Sequence, residues 1–405
     1  MSFRLALSGL NAASTDLTVT ANNIANSATS GFKSSRTEFS ELFSSTADSL
    51  SAQATGNGVR VSSVAQQFKQ GNIETTSNSL DLALSGSGFF TLKGGGALSY
   101  TRSGAFRPDA SGFVVNGEGQ RLQVYPPLDT GGFNTGALSD LQLVTAESAP
   151  QATTAVEMLL NLPSDATVPT NATFDPADPT SYSRASALTV YDSLGAAHTT
   201  QTYFVKTAVS GEWDVHVSID GTPVGPAQQL TFNSSGSLIT PANGTLTLPP
   251  YTPATGATAL AMNINFTGST QFGSTFGVNS VSQNGYTSGR LIGIDIDKTG
   301  VVQARFTNGR ANALGQVALA NFAAPASLQK LGDTQWAESY GSGQAVQGQA
   351  GIAGLGSIQS SSLEASNVDI TSQLVNMITA QRNFQANAQM IQTSDQITQT
   401  IINMR

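Results

Sequence analysis

LNAASTDLTVTANNIANSATSGFK, residues 10–33, places Leu10, Leu17 and Ile24 seven residues apart. With Phe3 and Leu7 upstream and small Ser14, Ala21 and Ala28 in the intervening places, the stretch follows the alternating four-three spacing of a helical heptad seam. A single helix of this length is marginal in water, so its apolar stripe has to be covered by a partner. The other end of the chain, SNVDITSQLVNMITAQRNFQANAQMIQTSDQITQTIINMR from residue 366 to 405, supplies one. There Ile370, Leu374, Met377, Phe384, Ile391 and Ile402 recur at the same spacing, with Gln381, Ala388, Asp395 and Thr398 in the remaining seam positions. Ser366 followed by Asp369 forms a capping-box pattern that marks a helix start. A second apolar line of Ile378, Met390, Ile397 and Ile401 makes the stripe wider than one partner helix covers. The two chain ends are therefore expected to pair, parallel or antiparallel, as a coiled coil whose interface is Leu7, Leu10, Leu17, Ile24, Ile370, Leu374, Met377, Phe384, Ile391 and Ile402.

The outward faces of these helices are unlike those of a solvated two-stranded coil, which carries Glu and Lys at its flanking positions. Residues 1–30 hold only Arg4 and Asp16 as charges, and the C-terminal helix only Asp369, Arg382, Asp395 and Arg405. Faces built from Ser, Thr, Asn, Gln and Ala suit close packing against identical neighbours, so self-assembly through the terminal coil is favoured over a satellite hairpin on a monomer.

The whole chain shares this neutral character. Of its 405 residues 39% are hydrophobic, enough for real cores, but only 11% are charged. A net charge of −8 disfavours electrostatic capture of nucleic acid or an anionic membrane. There is no cysteine, hence no disulfide or thiolate chemistry. No apolar run approaches the roughly 18 residues of a membrane span. The start MSFRLALSGLNAAS lacks a sustained apolar h-region and runs straight into the heptad pattern, so a cleaved signal peptide is not expected.

Between the helical ends the pattern changes to short alternating segments separated by glycine turns. Residues 59–146 and 277–337 read as one β domain, with Asn116-Gly117 expected to supply the positive φ angles of a tight hairpin turn. Residues 147–276 read as a second β domain inserted into the first, with the Pro-rich stretch 162–181 as loop. Polar stretches at 31–58 and 338–366, the latter Gly-, Ser- and Gln-rich with only two acids, read as linkers or extended arms. The fold class is thus mainly β with α-helical termini, the N- and C-terminal helices (1–30 with 367–405) paired around nested, discontinuous β domains.

Enzymatic patterns are weak. His198 and His216 lie singly in strand-like runs, where a histidine is ordinarily a core or surface residue. DIDKTG at 295–300 imitates the first half of an EF-hand loop, but Phe306 stands where a bidentate Glu is needed, so a hairpin turn is expected instead. KGGG lacks the Lys-Ser or Lys-Thr ending of a phosphate loop. The acidic pairs Asp175 with Asp178 and Asp295 with Asp297 are too close in sequence to suggest glycosidase geometry. No catalytic residue, metal or cofactor is expected. A secreted β-rich hydrolase would turn over substrate without its termini, and an adhesin would bind ligand through residues 147–276 alone.

The motifs LSGLNAAS, ANNIAN and SGFK together resemble the N-terminal signature of the bacterial flagellar rod and hook family, and LEASNVDITSQLVNMITAQRNFQANAQMIQTSDQI resembles that family's other end, its hook members most closely. YTRSGAFRPDASGFVVNGEGQRLQVY at 100–125, YDSLGAAHTTQTYFVK at 191–206 and TQFGSTFGVNSVSQNGYTSGRLIGIDIDKTGVVQARFTNG at 270–309 extend the likeness over most of the chain. The resemblance implies a subunit of a curved helical tube, a universal joint passing torque from rod to filament. It implies that the paired termini line the inner tube and that β domains form outer layers. The partners it implies are further copies of the chain, the rod, a hook cap, the hook–filament junction protein and a type III export apparatus that reads an uncleaved N-terminus. No nucleic acid and no membrane insertion are among them, and the location it implies is the extracellular hook. A distal rod or junction subunit would share the same termini. Within the N-terminal motif, Asn22, Asn23, Asn26, Gly31 and Phe32 are expected to shape the turn into the arm and to contribute to export recognition. From the residues themselves, Gly31 offers a left-handed helix cap against which Phe32 folds back.

Overall fold

The computed structural model describes residues 2–42, 56–128, 130–143 and 147–403. Most of the polar stretch 44–58, the end of the first β segment at 144–146, and Arg405 lie outside the described residues. The chain divides into two compact units, one of Met1–Thr145, Gly293–Arg305 and Ala311–Arg405, the other of Ala146–Ile292 and Phe306–Arg310.

The first unit carries two helices, α1 (Ser2–Ala25) and α2 (Ile370–Asn403). α2 begins three residues later than the Ser-x-x-Asp pattern predicts: Asp369 is itself the cap, accepting a 2.7 Å hydrogen bond from the Ser372 N–H. An aspartate oxygen satisfies a free amide of the first turn better than the more distant Ser366 hydroxyl, and these hydrogen bonds from Ser372 hold the Asp369 carboxyl below its usual range.

Both segments expected as linkers contain paired strands. Ser35–Glu41 and Val59–Gln66 form an antiparallel hairpin along α1. Within 338–366, Val346–Gly348 pairs with Leu319–Asn321, Ser357–Ser360 with Leu82–Ser85, and Ser362–Glu364 with Ile73–Thr75. Their composition is that of a linker, yet existing strand edges with unpaired amides and carbonyls recruit them. The main sheet of this unit runs through Val301–Phe306, Ala311–Val317, Arg121–Tyr125, Phe89–Gly94, Ala97–Thr101, Gln335–Ala337 and Gln329–Gly332. Its core centres on Leu82, Leu84, Phe90, Leu92, Phe106 and Leu122, with Phe68, Phe89, Tyr100, Phe322 and Trp336 forming a second, aromatic cluster. Those rings meet edge-on with centroids 4.8–5.8 Å apart.

The hairpin turn at 116–120 forms, but the positive φ falls on Gly119 and not on Asn116-Gly117. Asn116 instead accepts hydrogen bonds from the amides of Glu118 and Gln120, which keeps it in an Asx turn. The 297–300 segment is a turn of the same kind, with Asp297 accepting from Thr299 and Val301 and Gly300 at φ +81.

The second unit extends beyond the expected boundary at 276, because Gly277–Gln283 pairs antiparallel with Ala155–Asn161. These strands form a sheet with Thr245–Thr247 and Asn263–Asn265. A second sheet holds Arg184–Tyr191, Ala197–Lys206, Glu212–Ile219, Gln228–Phe232 and Leu238–Thr240. Alternation along Ala197–Lys206 puts His198, Thr200, Thr202, Phe204 and Lys206 inside, where Phe204 joins Trp213, Phe266 and Leu160 in the core. The Pro-rich stretch forms no strand; Phe174 within it stacks on His216 with centroids 3.9 Å apart.

Candidate assembly interface

α1 and α2 pack antiparallel. A Cβ added at Gly9 would lie 2.4 Å from Asn387 Oδ1, and Asn23 Nδ2 donates to Gln373 Oε1 at 3.2 Å, so fourteen residues forward on α1 correspond to fourteen backward on α2. The seam is rotated by about one residue from the expected one. On α1 the buried positions are Ala6, Ala12, Ala13, Thr20 and Asn23, and on α2 Ala380. Leu10, Leu17, Ile24, Met377, Phe384 and Ile391 are half-buried. Leu7, Ile370, Leu374 and Ile402 are instead exposed, at 41%, 50%, 46% and 65%.

The reason is that α1 has two neighbours in its own chain. The hairpin covers a second side of it, with the Val59 N–H donating to Ser8 Oγ at 3.3 Å. Small side chains let both neighbours approach the helix backbone closely, Leu10, Leu17 and Ile24 lie at the margin of the contacts, and Leu7, Ile370, Leu374 and Ile402 are turned out of them. Phe3, Leu5, Val375, Ile378, Met390 and Ile397 are exposed as well.

The N-terminal motif sits where α1 passes into the β part of its unit. Asn23 is buried and reads the backbone of Ser35 from both sides: its Oδ1 accepts from the Ser35 N–H at 2.9 Å and its Nδ2 donates to the Ser35 carbonyl at 2.8 Å. Asn367 does the corresponding work before α2, accepting from the Ser34 N–H and donating to the carbonyls of Gln67 and Lys69. Nothing in the heptad pattern singles out Asn367; only its place between strand and helix does. Asn26 bonds back to the Asn22 carbonyl, and both line a groove of about 750 Å³ with Phe32, Lys330 and Trp336. Gly31 has φ +70, as a left-handed cap requires. Its N–H, however, donates to the Glu364 carbonyl at 2.7 Å and not back to the helix, while Phe32 N–H returns to Thr29 O at 3.2 Å. A Cβ on Gly31 would lie 2.4 Å from the Ser103 nitrogen, so glycine is needed for the close approach as well as for φ.

Below Gly31 lies a buried ionic group absent from the sequence-based expectations. Lys33 and Glu364 are 2.6 Å apart with both side chains fully buried, and Arg102 approaches the other Glu364 oxygen at 3.3 Å. Burial pulls the Lys33 and Arg102 pKa values down, against the upward pull of Glu364. The signal available in the sequence was Glu364 itself, one of two acids in an otherwise uncharged 29-residue stretch.

Among the described residues no helix is long and apolar enough to cross a membrane. Four family descriptions match the chain in order: flagella basal body rod protein at 3–33, flagellar hook protein FlgE/F/G D1 domain at 83–175, flagellar basal body protein FlaE D2 domain at 161–286, and flagellar basal body rod FlgEFG protein C-terminal at 359–404. The chain is 39% identical to the flagellar hook protein FlgE of Salmonella typhimurium over the full length of both. It is 38% identical to that of Escherichia coli, again over both full lengths, and 33% identical to that of Borreliella burgdorferi over 98% of each. The crystal structure of Helicobacter pylori flagellar hook protein FlgE2 shares the fold, with a TM-score of 0.55 at 14% identity over 72% of this chain and all of that one. Helical ends that pair, β units nested between them and full-length relatedness at this level agree: the chain belongs to the flagellar hook protein family.

Proposed function

We propose that this structural subunit of the flagellar hook polymerises through its paired terminal helices. The observation that carries the reading is the division of labour on α1 and α2: small residues fill the contact within the chain, and large apolar residues, Leu7, Ile370, Leu374 and Ile402 among them, remain in water. Exposed apolar rows on a helix gain free energy once a second copy covers them. A contact between unlike surfaces of identical subunits that does not close on itself builds an open helical filament. Leu10, Leu17, Ile24, Met377, Phe384 and Ile391 border those rows and complete the interface.

In this reading the helix pairs line the inner tube, the β units form its outer layers, and the polymer is the joint that passes torque from rod to filament. Its neighbours are further copies, the rod, the hook cap and the hook–filament junction protein. The subunit reaches the extracellular hook through the flagellar type III apparatus with its N-terminus uncleaved, Asn22, Asn23, Asn26, Gly31 and Phe32 contributing to recognition. No catalytic, metal or cofactor role is assigned to any residue.

The test is negative-stain microscopy of the full chain beside a variant lacking 1–30 and 367–405, under polymerising conditions. Tubes from the full chain alone support the reading. Tubes from both overturn it, as does a full chain that stays monomeric after salt and seeding trials.

A further inference from the structure

His198 stands at one end of the second unit, where two hairpin turns and a loop meet, and each of the three sends a titratable side chain to its ring. Asp220, in the turn between Glu212–Ile219 and Thr222–Pro223, places Oδ2 2.6 Å from Nδ1. Asp192, at the start of the turn between Arg184–Tyr191 and Ala197–Lys206, places Oδ2 3.3 Å from Nε2. Tyr251, from the stretch between Thr245–Thr247 and Asn263–Asn265, meets the imidazole edge-on with centroids 6.2 Å apart. The two carboxylates differ in their surroundings. The Asp192 side chain is fully buried; its Oδ1 also accepts from the Leu194 and Ala196 N–H groups and its Oδ2 from Thr255 Oγ1 at 2.8 Å. The Asp220 side chain is 43% exposed, and its Oδ1 accepts from the Thr199 N–H at 2.9 Å.

We propose that His198 is a proton-operated latch: protonated, it docks the 220–221 turn, and on losing its proton it stays with Asp192 and lets that turn go. An imidazolium has two N–H donors, one for each carboxylate, whereas the neutral ring keeps one and turns a lone pair toward the other anion. The remaining proton belongs on Nε2. A lone pair aimed at Asp192 would set two acceptors against each other where no water reaches, while Asp220, at the surface, exchanges the ring for solvent. Deprotonation therefore breaks the shorter of the two contacts, because burial and not length sets the cost. What it frees is a short element, held by the pairs Ser218 with Pro223 and Ile219 with Thr222, in which Pro223 has no N–H to contribute. At its tip Gly221 has φ +78, and a Cβ there would meet nothing within 4 Å. The raised His198 pKa puts the change above the usual histidine value of about 6.5. The surface offered by this end of the unit is then set by the pH of the medium.

The chain holds two histidines, so labelling the histidine ring nitrogens of the dilute full chain for NMR gives two ring systems. His216, which stacks on Phe174 and has its pKa lowered by burial, is the internal reference. Once His198 has lost its proton, Nδ1 alone should take the shift of an unprotonated ring nitrogen, with Nε2 still bonded to hydrogen. Over the same step the Asp220 amide, which donates to the Thr199 carbonyl at 3.0 Å, should lose protection from hydrogen exchange after correction for intrinsic base catalysis. The loss should be roughly tenfold, as one hydrogen bond to a charged group is worth. Protection of Phe204, in the core of the same sheet, should hold. A proton retained on Nδ1 overturns the proposal, and so does unchanged protection at Asp220. Asp220→Asn separates a latch from simple stabilisation. Asn tolerates the positive φ of 49 at this position, its carbonyl oxygen keeps the Thr199 N–H, and its amide nitrogen donates to a neutral Nδ1. In this variant His198 should titrate at lower pH than in the parent, and the turn should stay protected on both sides of that titration. Loss of protection that persists in Asp220→Asn shows that the turn opens for another reason and overturns the proposal. All of these measurements read the single subunit and are independent of assembly.

Discussion

Ile370, Leu374 and Ile378 stand four residues apart on one face of α2 and are 50%, 46% and 50% exposed, so replacing all three by Ser removes apolar surface that the folded monomer does not use. Burying such a side chain completely is worth about 1.5–3 kcal/mol. With roughly half of each already covered, contact with a neighbouring subunit gains about 1 kcal/mol apiece, or about 3 kcal/mol for the three. At about 1.4 kcal/mol per decade, the critical concentration for polymerisation should rise roughly a hundredfold. Sedimentation of polymer from a dilution series measures it. Unfolding of the dilute monomer, followed by circular dichroism, should move little, since Ile and Ser differ only by tenths of a kcal/mol in helix propensity and Leu by slightly more. An unmoved critical concentration would refute the assignment of this face to assembly. A rise matched by an equal loss of monomer stability would show that the face serves the fold instead.

The second unit should be stabilised in a pH-dependent way by His198, which is 6% exposed and held between Asp220 at 2.6 Å and Asp192 at 3.3 Å. Burial alone would lower the imidazole pKa, but the hydrogen bonds and charges of the two carboxylates outweigh it and the pKa is raised. The protonated ring therefore stabilises fully below the usual histidine value of about 6.5, and this contribution is lost as pH rises through the raised folded value. Asp192 is likewise buried, which opposes ionisation, but hydrogen bonds from Thr255, Ala196, His198 and Leu194 hold its pKa at about 2, so its contribution is lost only in strong acid. Unfolding free energy of the full chain should fall as pH rises above the usual histidine value of about 6.5, and His198→Asn should flatten that slope; equal slopes would dismiss the clamp. In the first unit, a Cβ on Gly104 would lie 1.7 Å from the Leu82 carbonyl oxygen, while one on Gly117 meets nothing within 4 Å. Gly104→Ala should cost about 3 kcal/mol in urea unfolding because backbone, unlike a side chain, cannot step aside. Gly117→Ala should be near neutral, and similar midpoints for the two would contradict the packing described.

The helical ends were legible because Leu10, Leu17 and Ile24 recur with a helix period, and the β middle because Gly turns punctuate alternating runs. Periodicity reports which residues share a face, a local property written in each segment alone. It does not report which face meets which neighbour. Small Ala6, Gly9 and Ala13 carry almost no hydropathy signal, yet they form the contact, because α1 is approached closely from two sides; Leu10, Leu17 and Ile24 are left half-buried at its margin and Leu7 points out to solvent. Glu364 shows the same limit. In sequence it is an acid in a Gly-, Ser- and Gln-rich stretch, and a linker is the natural reading. Its role appears only when strand Ser362–Glu364 pairs with Ile73–Thr75 and brings Lys33 and Arg102, hundreds of residues away, to one carboxylate. Helix and strand identity, the pairing of the chain ends and the neutral surface were thus determined by the sequence itself, since local periodicity and composition suffice for them. The seam's rotation, the strands hidden in the apparent linkers and the buried charge group were decided by tertiary structure, because each depends on free energies of close approach and desolvation that exist only once distant segments have met.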